Sequence, residues 1–298
     1  MCWGLARSRP LILVRENLER AMPPSEHNWF EREYFPSLAL PDAGAIFENW
    51  KTRAAATRAT LKFQPDIRYG AHKREVMDFY PAARPVGCVV FIHGGYWVEF
   101  SKVETSWVAE GFVNQNLSVS LINYPLCPDV SIADIRQSCT NAFVHLYKSV
   151  LGEAERSSIV VTGHSAGGHL AAAHLGQDWV TLGLPENPIA GVIALSGVFD
   201  VAPLVQTSLN EDLRLTLESA GALDLNKIHP GGAAKLALAV GQHESSEFHR
   251  QSEALAKSWK ALRPQVFEIA GSNHFTIVDS LAEQRGQLNQ LAVAMARG

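Results

Sequence analysis

The stretch Gly163-His164-Ser165-Ala166-Gly167-Gly168 follows the β-rich run Ser158-Ile159-Val160-Val161 and opens an Ala-rich run, His169 to Leu175. Strand, sharp turn and helix in that order hold a serine hydroxyl above a sheet. Glycines allow the tight backbone path and the helix N-terminus lies beneath the serine. An ordinary Gly-rich turn is the plainer reading; the flanking elements favour a nucleophile. A serine hydroxyl is weak at neutral pH and needs a base in reach, with a third group to orient that base. In this context both follow the serine along the chain, on loops after late strands, with the acid before the histidine. His274, in Gly271-Ser272-Asn273-His274-Phe275, is the last of 11 histidines and sits between the β-rich run Gln265 to Ile269 and a final helical stretch. Glu244 precedes it by 30 residues, four positions after the strand-like Lys235 to Val240. Two other acids compete. Glu247 falls where a helix should begin, with Ser246 a candidate N-cap, and suits the first turn of a helix. Asp200 follows an earlier strand and could cap the next helix.

Acyl-transfer chemistry also needs donors aimed at the oxygen that becomes negative. His93-Gly94-Gly95-Tyr96-Trp97 follows the nearly all-apolar run Gly87 to Ile92 and can supply the N–H groups of Gly95 and Tyr96, with Gly94, to join that of Ala166. His93 fits a loop brace better than a base. No HExxH occurs, and His169 and His174 are five apart, off a single helix face, so no metal is expected. No phosphate or dinucleotide loop follows a strand, so no cofactor is expected either.

The rest of the chain reads as the frame for these loops. From Asp66 onward, β-rich and helical runs alternate. Strands are expected at Asp66 to Tyr69, Glu75 to Tyr80, Gly87 to Ile92, Ser118 to Tyr124, Ser157 to Gly163, Ile189 to Leu195, Lys235 to Val240 and Gln265 to Ile269. Helices are expected at Glu104 to Asn116, Ser131 to Val150, Ser165 to Leu175, Ser246 to Ala261 and Phe275 to Met295. A mostly parallel sheet covered on both faces by helices follows, with ligands at the carboxyl ends of its strands. Pro41 to Lys62 also reads as helix, with Asp42 as N-cap and Ile46, Trp50 and Leu61 on one face. The first 40 residues read as irregular, an arm or lid carrying Trp29, Phe30, Tyr34 and Phe35, ahead of a main domain over 41–298.

With 298 residues, 47% hydrophobic and 19% charged, the chain can bury a large core. Thirty acids against 26 bases give a net charge of -4, which argues against nucleic acid as a partner. The run Leu11-Ile12-Leu13-Val14 is too short for a secretory core or a membrane span, and Cys2, Cys88, Cys127 and Cys139 form no framework. A cytoplasmic protein with reduced thiols and no membrane partner is expected; a homodimer is left open.

Together, the His93 to Trp97 loop, the Gly163 to Gly168 turn, Gln242-His243-Glu244-Ser245-Ser246-Glu247-Phe248-His249-Arg250-Gln251-Ser252 and Asn273-His274-Phe275 resemble the kynurenine formamidase (arylformamidase) branch of the serine α/β-hydrolases over about residues 40–298. The Glu-Phe-His-Arg-Gln-Ser run and Asn123-Tyr124-Pro125-Leu126-Cys127-Pro128 are more particular to that branch. The resemblance implies an α/β-hydrolase fold with a small cap region, here about residues 200–232. It also implies N-formyl-L-kynurenine as substrate, with another small aromatic amide or ester as the alternative and a non-catalytic binding protein as a third reading. Tyr96, Trp97, Tyr124, Phe199 and Phe275 are then candidate walls for the aryl ring. Two departures stand out. The family's acid is more often Asp than Glu, and His229-Pro230 replaces its frequent Ser-Pro.

Overall fold

In the computed structural model, which describes residues 29–40 and 42–298, eight strands form one sheet. They are β1 (Gln64–Arg68), β2 (Val76–Tyr80), β3 (Cys88–Ile92), β4 (Ser118–Ile122), β5 (Ile159–His164), β6 (Gly191–Leu195), β7 (Lys235–Gly241) and β8 (Gln265–Ile269). The order is β1-β2-β4-β3-β5-β6-β7-β8; β1 with β2 and β2 with β4 pair antiparallel, and all other neighbours pair parallel. Strands β2 to β6 are buried along their whole length, as covering both faces of a parallel sheet requires. Side chains alternate between two cores. Cys88, Val90 and Ile92 of β3 face one, and Val89 and Phe91 the other.

The helices, in chain order, are α1 (Trp29–Tyr34), α2 (Pro36–Ala39), α3 (Ala43–Thr60), α4 (Glu110–Val113), α5 (Ile132–His145), α6 (Glu153–Arg156), α7 (Ala166–Ala173), α8 (Asn210–Leu213), α9 (Leu217–Leu223), α10 (Ser246–Ser258), α11 (Ile277–Ala282) and α12 (Gln287–Arg297). Apolar side chains of α5, α7 and α10 fill the first core; those of α3, α4, α11 and α12 fill the second. No helix among the described residues is long and apolar enough to cross a membrane. Cys88, Cys127 and Cys139 are buried free thiols, and Cys2 lies outside the described residues.

Several expected elements differ. The stretch Phe275 to Met295 is two helices, not one. Gly286 passes so close to Ser280 that an added Cβ would lie 2.1 Å from its carbonyl oxygen, and the polar run 283–286 turns the chain back there. Glu104 to Asn116 is a short 3-10 turn, Ser106–Ala109, followed by the single turn α4. The long helix from Ser131 ends in a π turn, Leu146–Val150. On α3 the buried face is Ala43, Phe47, Trp50, Ala54 and Thr57; Ile46 and Leu61 are only partly buried, and Asp42 makes no capping hydrogen bond. Residues 29–40 are not irregular: they form α1 and α2, with Tyr34 and Phe35 buried. The part of the expected arm before Trp29 lies outside the described residues.

Candidate active site

Ser165 stands between β5 and α7 with φ 55° and ψ -119°, a backbone conformation that costs an L residue about 1–3 kcal/mol. Its N–H is fixed to the Leu195 carbonyl at 2.8 Å. The flanking glycines are required by close approach. A Cβ on Gly163 would lie 2.1 Å from the Gly167 oxygen, and one on Gly167 would lie 2.0 Å from the Ile92 oxygen. These contacts press the start of α7 onto the ends of β3 and β5.

His274, on the loop after β8, is buried, and its Nδ1 lies 2.6 Å from Glu244 Oε2. The Glu244 side chain is wholly buried. Its other oxygen, Oε1, accepts the Ser196 hydroxyl and the Gly241 N–H, each at 2.6 Å. The turn from Gly241, closed by the Glu244 N–H on the Gly241 carbonyl at 3.0 Å, folds the longer glutamate side chain back onto its own backbone. With both oxygens engaged, the carboxylate is the acceptor for an Nδ1–H, and Nε2 is left as the basic nitrogen.

Two neighbouring rings hold the imidazole. The Phe248 ring packs 4.4 Å from it and the His164 ring 4.8 Å, centroid to centroid. His164 Nε2 lies 2.7 Å from the His274 carbonyl oxygen. Burial, and secondarily the neighbouring His274, push His164 well below its ordinary pKa, so it is a neutral ring donating to that carbonyl. Beneath the loop, Phe275 packs edge-on against Phe47 of α3 at 4.9 Å, and Trp50 lies 6.3 Å from both His164 and Phe275.

The loop after β3 crosses Ser165 from the other side. A Cβ on Gly94 would come 3.1 Å from the Ser165 Cβ, and Gly95 adopts φ 101°. The N–H groups of Gly95, Tyr96 and Ala166 meet no acceptor among the described residues. His93 is fully buried, stacks on Tyr124 at 4.2 Å, and its Nδ1 lies 2.8 Å from the Gly94 carbonyl. Burial, aided by Arg74, pushes it down to about 3, so it is neutral. The Tyr124 hydroxyl donates to the His93 carbonyl at 2.9 Å, and the Cys127 N–H to the Trp97 carbonyl at 2.8 Å. The Asn123 to Pro128 segment thus braces this loop.

Ser165, His274, Gly95, Tyr96 and Phe275 line one cavity of about 20 Å³, closed in front by Phe35, Pro36 and Ser37. Trp97, Tyr124 and Phe199 do not line it. All three are fully buried: Trp97 is set edge-on to His169, Tyr124 braces the loop, and Phe199 packs in the first core. Neither competing acid approaches His274 through a hydrogen bond. Glu247 accepts the Tyr34 hydroxyl at 2.5 Å and Nε and Nη2 of Arg250, each at 2.7 Å. Burial opposes its charge, but those bonds outweigh it and hold the carboxyl below its ordinary value. Asp200 caps the turn after it through the Ala202 N–H at 3.0 Å. Among the described residues no group of three or more His, Cys, Asp or Glu could hold a metal.

Sequence reasoning missed Ser196, Phe248 and the contacts that tie the arm, residues 29–40, to the helix after β7. The Glu-Phe-His-Arg-Gln-Ser run was the available signal for the last two. Glu247 and Gln251 bind the Tyr34 hydroxyl, Phe248 packs on His274, and Gln251 Oε1 accepts the N–H groups of Phe199 and Asp200 at 3.0 and 2.8 Å. The cover is tied down further. Glu33 accepts the Ser246 hydroxyl at 2.8 Å and the Glu247 N–H at 3.1 Å, capping α10 from outside, where Ser246 had been expected to cap. Glu31 accepts the Ser208 N–H at 2.6 Å, and the Tyr96 hydroxyl donates to the Tyr34 carbonyl.

The BD-FAE family profile matches residues 77–215. A kynurenine formamidase of Salmo salar is 29% identical over 97% of this chain and 98% of its own length, and one of Danio rerio is 28% identical over 95% and 97%. A solved structure from Silicibacter sp. TM1040, provisionally assigned as a thioesterase, superposes with TM-score 0.81 at 29% identity, covering 91% of this chain and all of its own. The strand order, the turn at Ser165 and these likenesses agree, and the chain is a kynurenine formamidase-like hydrolase of the α/β-hydrolase fold.

Proposed function

We propose that this hydrolase cleaves an aryl formamide, N-formyl-L-kynurenine, to L-kynurenine and formate, with Ser165 as nucleophile, His274 as general base and acid, and Glu244 as the group that orients it. The observation that carries the reading is the buried 2.6 Å contact between His274 Nδ1 and Glu244, in the cavity that also exposes Ser165. Ser165 Oγ attacks the formyl carbon as its proton passes to His274 Nε2, and the carbonyl oxygen, now negative, rests on the N–H groups of Gly95, Tyr96 and Ala166, with Gly94 shaping the loop. The C–N bond breaks as Nε2–H protonates the departing aryl amine. Water then gives a proton to the same nitrogen and attacks the formyl ester; formate leaves and Ser165 recovers its proton.

The size of the cavity supports a small acyl group. A space of about 20 Å³ admits something on the order of one water molecule, which suits a formyl group and crowds a longer acyl chain. The flat amine then lies outward, along Phe35, Tyr96 and Phe275. Residues 29–40 act as the arm over the site, and residues 200–232 as the cap-like insertion.

A second reading, ester or thioester hydrolysis, is favoured by the thioesterase assignment of the Silicibacter relative. Turnover of N-formylkynurenine measured beside short p-nitrophenyl esters and acetyl-CoA separates the two. The expected result is a kcat/KM for the formamide well above the others; efficient ester or thioester cleavage with an inert formamide overturns the assignment.

A further inference from the structure

A second cavity is much larger than the one above Ser165. A space of about 370 Å³ lies between α5, the carboxyl end of α7 and the α8–α9 segment, and it shares no lining residue with the Ser165 cavity. That volume falls within the roughly 300–1,000 Å³ of small-molecule pockets. Its walls are mixed: Ile132, Leu170, Leu213 and Leu223 give an apolar side, and Ser131, Gln137, Thr140 and Ser219 a polar one. No aspartate or glutamate lines it, whereas two arginines do: Arg136 of α5 and Arg214, which ends α8 in a left-handed turn at φ 52°.

Arg136 is the unusual group. Its guanidinium is partly buried and makes no hydrogen bond or ion pair among the described residues, although the partly buried Arg58 and the buried Lys102 both pair with Asp78. A guanidinium drawn away from water without a counter-ion is costly, and burial accordingly lowers its affinity for its proton. His174 lines the same space. It is 2% exposed and held neutral by burial, so it adds no charge of its own there.

We propose that this cavity is a second ligand site, taking an amphiphilic carboxylate whose anionic head pairs with Arg136 and whose apolar body lies against the leucines. A carboxylate matches the planar fork of a guanidinium through two parallel hydrogen bonds. The site is separate from the acyl chemistry, so its ligand is bound and released unchanged.

The test uses the full chain, with octanoate as probe and octanol as its neutral counterpart, by titration calorimetry. Octanoate is expected to saturate one site, and octanol to bind about tenfold or more weaker, since a hydrogen-bonded charge pair is lost. Arg136→Gln should weaken octanoate by a similar factor and leave octanol unchanged. Leu223→Trp, which fills the space, should abolish both. Arg136→Lys keeps the charge without the fork and is expected to fall between wild type and Arg136→Gln, which covers the case in which Arg136→Gln fails to fold. Octanoate should also leave the KM for p-nitrophenyl acetate unchanged. Absence of saturable binding, equal affinity for octanol, indifference to both Arg136 substitutions, or strict competition with p-nitrophenyl acetate would each overturn the proposal.

Discussion

His274 on the loop after β8 and His174 at the end of α7 are both almost wholly buried, yet their surroundings are opposite. Nδ1 of His174 faces a backbone carbonyl, that of Leu170 at 2.8 Å, as does Nδ1 of His169 with Val198 and of His93 with Gly94. Only His274, of the five buried histidines among the described residues, has a carboxylate on its ring. A carbonyl fixes a tautomer but offers little to a positive ring. A buried carboxylate does both, so it can stabilise the imidazolium that forms when a proton is taken from a hydroxyl. Burial alone therefore fits a structural histidine; burial opposite an acid fits the base proposed at His274.

That contrast is broken most directly at the site itself. Ser165→Ala or His274→Ala should lower kcat by roughly 10⁴-fold or more in a steady-state formamide assay, while His174→Phe should leave kcat/KM nearly unchanged. Glu244→Ala should cost less, roughly 10²–10⁴-fold, because the base remains and only its orientation and charge stabilisation are lost. Comparable losses in His174→Phe would show that the carboxylate is not what separates the two histidines. A smaller effect belongs to Ser196→Ala. It removes one of the bonds that aim Glu244, and should reduce kcat by about tenfold or less with KM unmoved. A change in KM alone would mean that Ser196 contacts substrate rather than the acid.

What the sequence makes legible depends on the range of the interaction. The runs around Val89–Phe91 and Val160–Val161 declare buried parallel strands by composition, and the glycines at 163 and 167 declare the turn between them. Once the strands are placed, Ser165, Glu244 and His274 fall on loops at one edge of the sheet, which is why spacing could nominate all three. Ser196 was invisible because its hydroxyl acts through a partner 48 residues away. The arm itself was legible from its aromatic cluster, but its anchors were not: Glu33 and Tyr34 make sense only against α10, more than 200 residues on. The aromatic walls failed differently. Trp97, Tyr124 and Phe199 flank the right motifs, but large apolar rings beside a site are recruited into the core as readily as into its lining.

The mildest consequence of the comparison concerns stability. Burial pushes His93 and His169 down to about 3 and His174 to about 4, with His164 also well below its ordinary value. In the unfolded chain each takes up a proton as the pH falls through about 6.5, whereas in the folded chain each stays neutral until far lower. The unfolded state therefore binds more protons between those limits. The stability these rings lend is complete above about pH 6.5 and is lost progressively as the pH drops toward 3. Each ring approaches a slope of about 1.4 kcal/mol per pH unit once its unfolded form is protonated. Urea midpoints taken between pH 7 and pH 5, above the range where most carboxylates titrate, should fall steadily. His174→Phe removes one titrating group and fills the same space with a ring, so its midpoint should fall less steeply than that of the wild type. A wild-type midpoint that stays level across this interval would mean that the buried rings reach protons in the folded state. The carbonyl-bonded histidines would then be no more protected than surface ones.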